Sequence, residues 1–497
     1  MDVYKNISLD KEASQHLYIQ LFQKVRQLIL DKKVSANEKL PPIRQLAHTL
    51  GVNTSTIVNA YDLLEKEGFV HKKIGSGTFV APIKEESFSG ELFEKYPLDE
   101  DFKLMDRGQI QIKENMISFA SATPTSDLFP VEDFKRLLNE VLDRDKGDAF
   151  SYQESQGYYP LREALVDYLK EIGIHTKFEN IQIISGAQQG IDVISKAFVD
   201  YKDTIIAENP TYTGAIGTFK SRGAKILSVP IEGDGINIEL LEESIKIHHP
   251  KLIYLMPNFQ NPTGYSYSKE KKLKIIELAK KYGVFIVEDD YLSDLSFYSK
   301  DNTTLKSLDT EDCVIYIKSF SKIFMPGLRL GFLVLPKKIH HKILAAKHTS
   351  DISTSGLNQR VFDLYLRQGI WKKHIEYMEK IYKERFDQMK ICIEKYFKSL
   401  DIEYILPSGG LNFWFALPQG YDADQLYLEA AKYNILILPG SIFFPTKAES
   451  RFFRLSIASV YPKDIEVGMK KLAQVLDMFI QKDSSQIKAS DGYTPLL

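Results

Sequence analysis

Three runs in the middle of the chain, KLIYLMPNFQNPTG (251–264), VFIVEDDY (284–291) and VIYIKSFSKIFMPGLR (314–329), decide the fold. Each opens on a short apolar stretch of strand length: Lys251 to Met256, Val284 to Val287, Val314 to Ile317. Ile181 to Ile184 and Thr204 to Ala207 extend the pattern toward the N-terminus, with amphipathic helical segments between the strands. That alternation predicts crossover units and a largely parallel sheet covered by helices. Ligands bind such sheets at the carboxyl ends of the strands, where Glu288-Asp289-Asp290-Tyr291 and Ser319-Phe320-Ser321-Lys322 fall.

Further chemistry-bearing residues lie on either side. Ser185-Gly186-Ala187-Gln188-Gln189-Gly190 follows a strand, and small residues at a strand-to-helix junction leave backbone N–H groups free to hold a phosphate. Pro326-Gly327-Leu328-Arg329 adds a fixed cation. Each piece alone also reads as a turn, a cap or a solvated lysine. A lysine, a phosphate cradle, an acid and an aromatic on separate strand ends are nevertheless the parts of a pyridoxal phosphate site: Schiff-base amine, anion clamp, pyridinium partner and stacking face. Beyond them, a long helical pattern from about Ile370 to Phe397 leads to strand-like Phe413 to Ala416 and Ile435 to Leu438, a smaller α+β lobe.

Toward the N-terminus the pattern changes. Leu17, Leu21, Val25 and Leu28 recur at helical spacing, and Ile43, Leu46, Ala47 and Leu50 follow Pro41-Pro42. After the break at Gly51-Val52-Asn53, a third helix capped by Asn53 or Thr54 buries Ile57, Ala60, Tyr61 and Leu64. Two short helices joined by a glycine turn suit a helix-turn-helix. Phe69 to Val80 then makes a wing-like hairpin around Gly75-Ser76-Gly77, with His71, Lys72 and Lys73 just before the turn.

Charge and composition narrow the classes. Residues 1–80 carry 11 Lys+Arg and 8 Asp+Glu, whereas residues 81–115 carry 5 and 9, with no sustained period. The second segment reads as an acidic linker. The whole chain of 497 residues has a formal charge of -2, so any nucleic-acid affinity is a local patch. Hydrophobic residues at 44% exclude a disordered chain. Two cysteines exclude a disulfide framework, and no signal peptide or run of roughly 18 apolar residues is visible. A cytoplasmic protein with no membrane partner is expected. His248-His249 and His340-His341 lack a third ligand, so no metal site is expected. The tail, 481–497, is poor in apolar residues and reads as flexible.

The order of these strings resembles a known family. Leu17 to Val80 resembles the GntR-type winged helix-turn-helix through LYIQLFQKVRQLIL, KLPPIRQLAHTLGV, AYDLLE and GSGTFV. Residues 116–480 resemble the fold type I aminotransferases, in the subgroup called MocR-type regulators. The matching strings are Tyr152 with Gly157 and Leu161-Arg162, SGAQ (185–188), ENPTY (208–212), NPTG (261–264), EDDY, SFSK, PGLR and Arg454-Leu455. The implied fold is an N-terminal α+β winged helix over 1–80, then an α/β aminotransferase-like domain over 116–480 with a smaller α+β lobe.

The resemblance also implies roles. Lys322 would carry pyridoxal 5'-phosphate as an internal aldimine, Asp289 would hold the pyridine nitrogen, Tyr212 would stack on the ring, and Tyr291 and Asn261 would meet the ring hydroxyl. Ala187, Gln188, Ser319, Ser321 and Arg329 would hold the phosphate, with Tyr152 reaching it from a partner protomer of a head-to-tail homodimer. Arg454 would pair with the carboxylate of an amino compound that forms an external aldimine. In the operator complex Arg44 would touch backbone or base edges, Thr54, Ser55 and Thr56 would enter the major groove, and Gly75, Ser76 and Gly77 would bring the wing to the minor groove. Three positions depart from the family pattern: Pro42 replaces a serine, Thr54 an arginine, and Ala187 the serine of many enzymes. The expected function is a DNA-binding transcription regulator that senses pyridoxal phosphate or an amino-acid-like effector. The alternative is an active aminotransferase with a subsidiary DNA-binding domain.

Overall fold

The computed structural model describes residues 2–5, 7–10, 15–73, 76–82, 116–295, 303–446 and 450–481. The linker expected over 81–115 lies outside the described residues from 83 on, as do Gly75 of the wing and the tail beyond Gln481. The chain divides into two compact units, one within residues 1–97 and one within 98–497.

In the first unit, helices Leu17–Leu30, Ile43–Leu50 and Thr54–Lys66 enclose a core of Leu21, Val25, Ile29, Leu46, Ile57, Ala60, Tyr61 and Leu64. Ile29 closes the stripe of the first helix, while Leu28, expected there, is half-buried. Gly51 ends the second helix at φ 62, a left-handed conformation that glycine adopts without Cβ strain. Asn53 precedes the third helix, as expected, although its side chain makes no capping bond. Tyr61, buried on that helix, donates its hydroxyl to the Pro41 carbonyl at 2.9 Å and ties it to the entry of the second helix. Strands β1 (Val70–Lys73) and β2 (Gly77–Val80) pair antiparallel from Val70–Val80 to Lys73–Gly77, completing the wing.

The second unit begins with β3 (Ile117–Ser118) and contains β4 (Ile181–Ile184), β5 (Thr204–Asn209), β6 (Lys225–Glu232), β7 (Gly235–Ile236), β8 (Leu252–Leu255), β9 (Phe285–Asp290), β10 (Val314–Ser319) and β11 (Gly331–Val334). The last eight form one sheet in the order β4-β11-β10-β9-β8-β5-β6-β7. Pairings from β10 through β9, β8, β5 and β6 are parallel; β11 runs antiparallel to both neighbours, and β7 to β6. Successive residues of the central strands enter different cores. Ile205, Tyr254, Val287 and Ile315 join the larger one, and Ile206, Ile253, Ile286 and Val314 the smaller. Burial on both faces is why these strands read as continuous apolar runs. The parallel pairing of β5, β8, β9 and β10, with β4 running the same way across the antiparallel β11, brings the carboxyl ends of all five to one edge.

The smaller lobe follows helix Ile370–Tyr396. Strands β12 (Glu403–Tyr404), β13 (Asn412–Ala416), β15 (Leu438–Pro439) and β16 (Phe452–Ser456) form a sheet in the order β12-β13-β16-β15. The strand expected over Ile435 to Leu438 splits: β14 (Ile435–Leu436) pairs parallel with β3, and after Ile437 the chain joins β16 as β15. The partner switch is physical, since β3 lies far back in sequence and leaves no local signal.

A candidate cofactor and effector site

The carboxyl edge of the large sheet opens into a cavity of about 800 Å³, within the ~300–1,000 Å³ usual for small-molecule sites. Lys322, Asp289, Tyr212, Tyr291, Asn261, Ala187, Gln188, Ser319, Ser321, Arg329 and Arg454 all line it. Tyr152 does not; it is 85% exposed on the surface.

The three acids of EDDY have three different tasks. Glu288 accepts the backbone N–H groups of Leu305 and Lys306 at 2.7 and 2.8 Å. Asp290 is buried against Lys318 at 3.2 Å and accepts the Tyr316 hydroxyl at 2.5 Å. Burial alone would raise its pKa, but Lys318 and the donated hydrogen bonds hold it below the usual range. Asp289, one residue along and so on the other face of the strand, enters the cavity. Its Oδ2 accepts the Tyr254 hydroxyl at 2.6 Å, while Oδ1 is buried with no hydrogen-bond partner. Desolvation pushes this carboxyl up to about 6. A cationic N–H placed at Oδ1 would satisfy both deficits.

Lys322 stands in the turn after β10. Two donors from helix Ile370–Tyr396 fix that turn: His374 Nε2 to the Ile323 carbonyl at 2.7 Å and Tyr382 Oη to the Lys322 carbonyl at 3.3 Å. Desolvation, reinforced by Arg454 and Arg329, pushes the Lys322 amine down to about 8. A larger share of it is therefore a neutral nucleophile near physiological pH than for an ordinary lysine.

The anion cradle is built around Gly186, the residue before helix Ala187–Phe198, at φ 87. A Cβ there would stand 2.7 Å from Arg329 Nη2, so glycine lets the guanidinium lie against the helix N-terminus. Arg329 Nη2 donates to the Ser185 carbonyl at 2.9 Å, and the Ser319 and Ser321 hydroxyls lie 3.2 Å apart. Backbone donors, a helix dipole, two hydroxyls and a fixed cation in one place suit a phosphate.

Arg454 sits on β16 and is 4% exposed. It donates to the Asn261 Oδ1 at 2.8 Å and the Ala120 carbonyl at 2.5 Å, with the Phe443 ring 5.4 Å from its guanidinium carbon. Among the described residues no carboxylate pairs with it, and burial lowers its pKa to about 10. Tyr291 donates its hydroxyl to the Phe259 carbonyl at 2.6 Å and accepts from Asn412 Nδ2 at 3.1 Å. The sequence reading missed Tyr254, His374, Tyr382, Phe443 and the segment Ser118 to Thr123. Their signals are contacts across distant strands, which no local motif carries.

In the first unit Arg44, Thr54, Ser55, Ser76 and Gly77 are exposed and Thr56 is half-buried. Lys72 is engaged by Asp62 and, at 2.9 Å, by Glu65, so it offers no free charge. Lys39 and Lys73 are exposed and lie 5.9 and 5.3 Å from the Phe79 ring centre.

The fold, the edge cavity and its lysine define a fold type I, aminotransferase-like domain joined to a winged helix. The chain belongs to the family of class I and II aminotransferases, whose description matches residues 114–472, and residues 17–80 match the gntR family of bacterial regulatory proteins. This order is that of the MocR-type regulators. The aromatic-amino-acid aminotransferase 1 of Thermococcus litoralis is 31% identical over 74% of this chain and 89% of its own length. The HTH-type transcriptional regulator NorG of Staphylococcus aureus is 29% identical over 87% of this chain and 98% of its own. The crystal structure of Pyrococcus horikoshii kynurenine aminotransferase superposes with a TM-score of 0.71 at 31% identity, covering 74% of this chain and 93% of that one. The chain thus fuses a GntR-type DNA-binding domain to a pyridoxal 5'-phosphate domain. The unpartnered Asp289 Oδ1, the Gly186–Arg329 cradle and the depressed Lys322 amine all fit that cofactor. Among the described residues no group of three metal-ligating side chains occurs, and no helix is long and apolar enough to cross a membrane.

Proposed function

We propose that the chain is a transcription regulator in which an amino compound, bound beside pyridoxal phosphate in the large domain, sets the affinity of the winged helix for its operator. The observation that carries this reading is Arg454: a buried guanidinium with only neutral acceptors, in the same cavity as Lys322. Its bonds to Asn261 and Ala120 offset the cost of burial but leave the charge without a counter-ion, which a ligand carboxylate would supply. When bound, pyridoxal phosphate supplies an aldehyde that captures amines and a ring that withdraws electrons.

This chain's residues do the rest. Ala187, Gln188, Ser319, Ser321 and Arg329 hold the phosphate, Asp289 keeps the ring nitrogen protonated, and Tyr212, Tyr291 and Asn261 bound the ring. Lys322 would anchor the cofactor through its amine. Arg454 would gain a counter-ion from the carboxylate of a bound amino compound, and a ligand that favours one arrangement of the domains would shift their equilibrium. On the DNA side Arg44 and the Thr54 to Thr56 segment face the duplex, and the wing approaches it through Ser76 and Gly77. A homodimer belongs to the reading, with the exposed Tyr152 reaching a partner's phosphate site.

The alternative, an active aminotransferase, draws support from the Lys322 amine near 8, suited to moving a proton at neutral pH. Incubating the loaded protein with amino acids and 2-oxo acids separates the two. An absorption change without accumulating keto acid supports the sensor, and steady keto-acid production supports the enzyme.

A further inference from the structure

Whatever rests its carboxylate on Arg454 presents its remaining atoms to the same cavity, and the charges there are already committed. Among the described lining residues the cations are Lys322, Arg329 and Arg454, and the one carboxylate is Asp289. In the reading above, on which this inference rests, they serve the cofactor amine, the phosphate, the ligand carboxylate and the ring nitrogen. The segment Ser118 to Thr123, which forms one wall, contributes only small neutral side chains, and Leu436, Ile437 and Leu438 form another.

Strand register defines the surroundings of Arg454. On β16 it stands opposite Leu438 of β15 on one side and Trp414 of β13 on the other. Directly opposed residues of neighbouring strands project from the same face. Leu438, Trp414 and Phe443 pack as one apolar cluster with Ala120 against it, so the guanidinium is framed by hydrocarbon and aromatic rings.

The geometry points to an amino compound with one carboxylate and a neutral, apolar side chain, such as L-leucine or L-phenylalanine, with Leu438 as a specificity-determining residue. A second carboxylate buried at this wall would lose its water without meeting a described cation of its own protomer, and a distal ammonium would meet no such anion. An apolar side chain meets surfaces of its own kind.

The test is an absorption titration of the cofactor-loaded, full-length protein with L-alanine, L-leucine, L-phenylalanine, L-glutamate and L-lysine. L-leucine and L-phenylalanine are expected to half-saturate at concentrations roughly 10- to 100-fold below those of L-glutamate and L-lysine, the range of discrimination open to a hydrophobic pocket. L-glutamate or L-lysine acting at or below the L-leucine concentration overturns the inference. L-alanine separates its failure from that of the underlying reading. A response to L-alanine with no preference between L-leucine and L-glutamate overturns the side-chain assignment alone; no response to any of the five overturns both. Leu438→Lys, checked for cofactor loading, should improve L-glutamate at least ~10-fold relative to L-leucine. Leu438→Gln, the milder change, should weaken L-leucine by a larger factor than it weakens L-alanine. Unchanged preferences in the loaded variants remove Leu438 from the selecting wall.

Discussion

Arg454→Met separates the ligand-binding value of the guanidinium from its structural cost. Burial depresses the side chain from its ordinary value to about 10, which at ~1.4 kcal/mol per pH unit is on the order of 3 kcal/mol against burying the charge. Against this stand its bonds to Ala120 and Asn261, at roughly 1.5–3 kcal/mol each for a charged donor. The bonds outweigh the burial cost by only roughly 0–3 kcal/mol, and Met keeps an unbranched apolar body in the pocket. The ligand-free variant should therefore unfold within about 3 kcal/mol of wild type and keep its cofactor. Ligand binding has no such compensation. Losing one buried charge pair costs ~2–5 kcal/mol, or roughly 30-fold to several thousand-fold in affinity. The assay is thermal unfolding together with an absorption titration of the loaded protein with L-alanine. A half-saturation within threefold of wild type would refute Arg454 as the carboxylate clamp.

Four further outcomes are expected. Borohydride reduction should fix the cofactor covalently on Lys322, read by mass spectrometry of the digest; cofactor mass on another lysine defeats that assignment. Because the Lys322 amine lies near 8, cofactor capture by the stripped protein should quicken about tenfold per pH unit below pH 8 and level off above it, since only the neutral amine attacks. A stopped-flow rate still rising through pH 10 contradicts an amine so depressed. Asp289→Asn should loosen the cofactor by at least ~10-fold in dialysis, having lost the charge that balances a protonated ring nitrogen, whereas retention at the wild-type rate would pass that task to another group. Arg44→Ala should weaken DNA binding and reduce its salt slope by about 0.9, while Lys72→Ala, already neutralised by Asp62 and Glu65, should change neither; the reverse ranking would remove Arg44 from the interface.

Much of this was legible in the sequence because it is local. Apolar runs buried on both faces announced β4, β5, β8, β9 and β10, and Pro41-Pro42 with Gly51 framed the helix-turn-helix. The chemistry was legible as residue types at strand ends, since a parallel sheet gathers those ends on one edge. Contacts set by non-local register were not. The residue types of EDDY alone do not say which acid faces the cavity, and only the family resemblance singled out Asp289; the physical reason is the pairing of Asp290 with Lys318 across β9 and β10. Strand β11 is short and antiparallel, so it falls outside the βα rhythm. Leu438 gave no sign of standing beside Arg454, because that proximity arises only when β15 pairs with β16.

If the ligand of the large domain controls the DNA-binding domain, one equilibrium must show it. The cofactor-loaded protein is bound to a duplex enriched from a random pool, with and without saturating L-leucine, at one fixed salt concentration. The affinity is expected to change roughly 5- to 150-fold, the span of ordinary allosteric coupling, and the change to disappear in Arg454→Met. Equal affinity in both conditions, with steady conversion of L-leucine and a 2-oxo acid, would contradict it and make the chain an aminotransferase.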